Sequence, residues 1–92
     1  MSSIEEVCKS ELREADILIG DIKVQGTIIN GIKNKTFNRI IFKSDDTDNE
    51  TVIVINDLNR DIIVQMMIEL NRHTKSILTS KLTSVSNQTA QL

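Results

Sequence analysis

The stretch from Thr51 to Leu82 constrains the fold more than any other part of this 92-residue sequence. It opens with Val52-Ile53-Val54-Ile55, apolar at every position. Successive side chains of a strand point to opposite sides, so this strand is apolar on both faces. Such a strand is expected at the centre of a sheet, under a helix on one side and a second helix or a partner on the other. Asn56, Asp57 or Asn59 can then cap a helix. Ile63, Met66, Met67, Leu70, Thr74 and Ile77 make a helical stripe, which Ile62 and Ile68 widen and Leu78, Leu82 and Val85 prolong. A helix over 58–82 would run about 37 Å. A compact chain of this size has a radius of gyration of only about 13 Å. The helix would therefore reach or overhang the edge of its own sheet and leave apolar surface for a second copy. Ile63, Met66, Met67, Leu70, Ile77 and Leu78 are the residues expected at that oligomer interface.

Upstream, Ser3 and Glu6 fit a capping box, and Ile4, Val7, Cys8, Leu12 and Ala15 fall on one stripe, which predicts a helix over 4–15. Asp16 to Ile19 reads as extended. Ile22, Val24 and Ile28 alternate with Lys23, Gln25 and Thr27 as in a strand. Gly20-Asp21 and Asn30-Gly31 are hairpin-turn signals. Phe37 to Lys43 forms a further strand, and Ser44 to Glu50 a polar, acidic loop. The sum is an α+β fold: an N-terminal helix, a small antiparallel sheet of three to five strands, and a long C-terminal helix packed on the sheet. Residues 1–85 read as one domain and 86–92 as a flexible tail.

Gly20-Asp21-Ile22-Lys23-Val24-Gln25-Gly26 resembles the strand segment of Sm-like RNA-binding proteins, in which an N-terminal helix also precedes a strongly bent sheet. The resemblance implies an oligomeric RNA-binding module. The family's fifth strand and basic-aromatic RNA motif have no counterpart after Val52–Ile55, where a helix is expected instead.

Charge is segregated although the net value is only −2. Residues 22–43 carry Lys23, Lys33, Lys35, Arg39 and Lys43 and no acid, whereas 44–61 carry six acids and one base. Lys33, Lys35 and Arg39 are therefore the candidate contacts for phosphate or for an acidic protein. The alternative is that they pair with Asp45, Asp46, Asp48 or Glu50 on neighbouring strands. The same acidic run fails as a calcium loop: counting from Asp46, the sixth position is Thr51 where glycine is needed.

With one histidine and one cysteine, His73 and Cys8, an intrachain zinc site has too few ligands, and no internal disulfide can form. His73 is expected at a helix interface and Cys8 as a buried thiol. No cofactor is implied. Only two aromatic residues, Phe37 and Phe42, argue against base stacking on single-stranded nucleic acid. No apolar run approaches the roughly 20 residues that span a bilayer, and the acidic start is unlike a signal peptide, so a cytoplasmic protein is expected. Ile, Asn and Lys, with AT-rich codons, supply 30 of 92 residues and point to a low-GC bacterium or its phage. The reading is a non-enzymatic regulatory protein acting through protein–protein contacts as a homo-oligomer, such as a phage-encoded inhibitor. The alternative is an oligomeric RNA- or nucleotide-binding module.

Overall fold

The computed structural model describes residues 4–90, with side chains from 9 to 87. Four elements follow in order: α1 (Ile4–Lys33), β1 (Arg39–Lys43), β2 (Glu50–Val54) and α2 (Arg60–Ala90). The fold is α+β, with two strands rather than three to five. It extends 54 × 30 × 16 Å, and its radius of gyration is 17.8 Å.

The two helices form an antiparallel pair. Lys81 meets Glu11 and Glu14, Thr74 meets Gln25, and Asn71 meets the carbonyl of Ile22. The facing positions are Glu11, Ala15, Leu18, Ile22, Gln25, Ile29 and Ile32 on α1, and Val64, Met67, Asn71, Thr74, Leu78, Lys81 and Val85 on α2, all buried or partly so. They recur at alternating steps of three and four, the spacing that keeps one stripe of a helix against its neighbour. α2 packs along α1 and not on the sheet.

The strand expected over 22–29 and the extended segment over 16–19 are therefore both helix. The three-and-four spacing outcompetes the shorter alternation of Ile22, Val24 and Ile28. Gly20 and Gly26 do not break α1, and neither is needed for a close approach, since a Cβ there would meet nothing outside the local helix backbone within 4 Å. Each costs only about 1 kcal/mol of helix propensity, which packing offsets. The Sm-like resemblance of Gly20–Gly26 thus falls on helix, and it carries no Sm-like sheet.

Asn30-Gly31 makes no hairpin either. It lies in the last turns of α1, where Gly31 is buried beneath the Phe37 ring and a Cβ would collide with it. The chain then reverses at Lys35, whose φ of 65° is left-handed. The Asn34, Lys35 and Phe37 amides donate back to the carbonyls of Asn30, Ile32 and Gly31.

β1 and β2 pair antiparallel, with Arg39 opposite Val54 and Ile41 opposite Val52. At the hairpin base, Ile55 is buried with Ile29, Ile32 and Val64, and Ile40 packs against that cluster. Asn56 and Asn59 then cap the start of α2 reciprocally. The Asn56 Oδ1 accepts from the Leu58 and Asn59 amides, and the Asn59 Oδ1 accepts from the Asn56 amide. This is the capping-box logic built from two asparagines. α2 is described to Ala90, through the first part of the tail expected from Ser86. The capping box at Ser3 and Glu6 and the buried Cys8 thiol lie outside the described residues and side chains.

Candidate interaction surfaces

The six residues expected at an oligomer interface divide into two groups. Met67 and Leu78 face α1, and Ile63 packs against the core. Met66, Leu70 and Ile77 are exposed. Ile62 and Met66, 65% and 66% exposed, lie on the side of α2 away from α1, whereas Leu70 and Ile77 flank the seam. Asp61, Gln65 and Glu69 border Ile62 and Met66. Beyond Leu70, α2 is covered along one side by the chain's own α1.

The β-hairpin is the second exposed apolar region. Ile41, Val52 and Val54 share one face, and Ile40, Phe42 and Ile53 the other. Every residue of β2 is exposed, as is all of β1 except Ile40, which is half-buried. The strand expected to be central is therefore an edge, uncovered on both faces.

The basic residues do not gather into one free cluster. The Lys35 ammonium stands 3.9 Å from the Asp57 carboxylate, so its partner is neither the acidic loop nor Glu50. A hydrogen bond from Arg60, with the Lys35 charge added, holds the Asp57 carboxyl below its ordinary value of 3.8. Glu50 pairs instead with Lys43, at 3.6 Å. Lys33 and Arg39 are exposed, and among the described residues no carboxylate lies within 4.0 Å of either. At the far end of the helix pair, a hydrogen bond to Glu14 raises the Lys81 ammonium above its ordinary 10.5, against a smaller opposing effect of burial.

His73 is exposed on α2, near Glu69 and Arg72, and does not sit at the helix interface as expected. Among the described residues no three histidine, cysteine or acidic side chains stand close enough to hold a metal ion. No described helix is long and apolar enough to cross a membrane.

One feature of the sequence could have located the helix pair. Ala15, Leu18, Ile22, Gln25, Ile29 and Ile32 follow a three-and-four repeat that continues across both glycines. Comparison with protein-family models, curated proteins and solved structures found no match.

Proposed function

We propose that this chain is a non-enzymatic regulatory protein of the cell interior. It works by occupying another macromolecule, as small phage-encoded inhibitors do, and it acts as a homo-oligomer. The supporting observation is its surface. The accessible area is 7199 Å² for a chain of 10.4 kDa. A compact monomer of that mass exposes about 5,400 Å². The excess, about 1,800 Å² by that scaling, is more than the roughly 800 Å² that a standard protein–protein interface buries on each partner. It includes two apolar patches, one at Ile62 and Met66 and the other on the β-hairpin.

Sedimentation over a range of concentrations tests the oligomer. A mass above 10.4 kDa is expected, and a monomer at high micromolar concentration removes this part of the reading. Affinity capture from the native host, followed by mass spectrometry, tests the outside partner.

A second reading, RNA or nucleotide binding, draws on the exposed and unneutralised Lys33 and Arg39 at the turn that also holds Lys35. It requires binding that weakens steeply with salt. Neutralising Lys33, Lys35 and Arg39 together must then abolish that binding.

A further inference from the structure

We infer that two copies of this chain join through the free edge of β2, antiparallel about a two-fold axis at Val52, into one four-stranded sheet. This inference rests on the homo-oligomer reading and names the surface that would produce it.

An isolated two-stranded hairpin is marginally stable in water, and three or more strands are needed for independent stability. Here the hairpin has only Ile40 and the basal Ile55 in the core. Its two edges are not alike. β1 carries Arg39 and Lys43 within five residues. Charges of this kind are what natural edge strands use to refuse further pairing. From Thr51 to Ile55 β2 carries no charge, proline or glycine. Only Glu50 marks its start.

The hydrogen-bond phase of β2 fits such an extension. The Ile55 amide donates to the Asn38 carbonyl and the Ser44 amide to the Asn49 carbonyl, on the register that pairs Ile41 with Val52. In an antiparallel ladder, bonded and non-bonded pairs alternate. Thr51, Ile53 and Ile55 therefore turn their backbone groups toward β1, and Glu50, Val52 and Val54 turn theirs to the free edge. The Val54 carbonyl on that edge accepts from the Asn59 side chain; the rest of the row faces outward.

Pairing two β2 edges about Val52 sets Val52 against its symmetry mate and Glu50 against Val54 of the second copy. No like charges meet. Pairing two β1 edges about Ile41 would set Arg39 against Lys43 twice, which is destabilising. The β2 pairing also joins Ile41 and Val52 of both copies into one apolar strip across the sheet, with Arg39, Lys43 and Glu50 on the same face beside it. It gives β2 the central place that its all-apolar sequence describes. A two-fold contact also closes on itself, whereas β1-to-β2 addition would continue head to tail.

The test is the mass of the wild-type protein and of four variants by sedimentation, with helix content followed by circular dichroism. Val52→Pro removes an amide that points to the free edge and leaves the β1 ladder intact. Val52→Lys sets two like charges together at the axis. Both should keep their helix content and sediment as monomers where the wild type is a dimer. Met66→Asp, on the outer side of α2, should remain a dimer. Val52→Cys in a Cys8→Ser background should give a symmetric disulfide dimer on oxidation, because directly paired residues bring their Cα atoms to about 5.5 Å. A dimer that survives both Val52 variants, one lost only with Met66→Asp, or a species larger than a dimer overturns the edge assignment and leaves the homo-oligomer reading standing. A wild-type monomer at high micromolar concentration overturns both.

Discussion

The molecule is two antiparallel pairs, one of helices and one of strands, and they treat their apolar surface in opposite ways. α1 and α2 turn Ile29, Ile32, Val64 and Met67 toward each other, and where polar groups enter the seam they bond within it. The strands have apolar residues on both faces and send only Ile40 into the core. The helix pair closes one stripe within the chain, while Ile17, Val24, Ile62 and Met66 stay exposed on its outer sides. The hairpin carries a pattern that one chain leaves open, which is why function is sought there and not along the seam.

The largest expected effect lies where the two pairs meet. Ile32 is 1% exposed, the largest fully buried side chain among the described residues, and it packs with Ile55 at the hairpin base. Ile32→Ala should cost about 2–5 kcal/mol in urea or thermal unfolding. A loss below about 1 kcal/mol would mean that this end of the seam collapses around the cavity, and the contrast with the hairpin would weaken.

How much of this contrast the sequence reveals differs between the same two pairs. The strand residues Val52–Val54, their partners in the 37–43 strand, and the asparagine caps before α2 are legible, because each signal is local. The strand's position is not, because all-apolar chemistry implies a central place and this chain supplies only one neighbour. Residues 4–15 read as helix, yet α1 continues for 18 more. There Gln25 puts a polar residue on the seam and breaks the apolar stripe, while Gly20, Gly26 and Asn30-Gly31 imitate turns. Only the partner helix shows why Gln25 belongs: Asn71 and Thr74 satisfy both ends of its amide. The row Ile63, Met66, Met67, Leu70, Ile77 and Leu78 is legible as a helix face, but not which part of it α1 occupies.

That polar layer gives the next effect. The Gln25 amide donates to the Thr74 hydroxyl at 3.1 Å, and the hydroxyl donates on to the Leu70 carbonyl. Thr74→Val leaves a buried donor on Gln25 without an acceptor and should cost about 1–3 kcal/mol. Adding Gln25→Leu removes the orphaned group, and with the Asn71 amide keeping the Ile22 carbonyl as acceptor it should recover part of that loss. The double variant should lose register specificity, the use best attested for polar seam residues. It would show as a broadened amide spectrum. A double variant no more stable than the single would place the cost elsewhere in the seam.

A smaller effect comes from the far end. The raised Lys81 means that the folded state holds this proton more tightly than the unfolded chain. Its stabilisation is present in full below the ordinary lysine value of 10.5 and fades as pH rises through the folded value. The wild-type melting temperature should therefore fall more over that alkaline range than that of Lys81→Met. Because surface pairs are screened by salt, the difference should shrink at high ionic strength. Parallel pH profiles for the two proteins would remove Glu14 and Lys81 from the account of the seam.

The smallest effect is the most telling for the comparison. Ile41 is 51% exposed at the centre of the hairpin's outer face. Threonine keeps the branched shape that strands favour while removing apolar surface. Where an apolar side chain is already in water, its loss should alter monomer stability by no more than about 0.5 kcal/mol. Measured at dilution, Ile41→Thr should unfold with the wild type. Measured at high concentration the two should still coincide, because the proposed pairing at the β2 edge leaves Ile41 of β1 in water. A large loss at dilution would mean that the hairpin's outer face is already covered within a single chain, and the distinction between the closed helix seam and the open strand pair would fall.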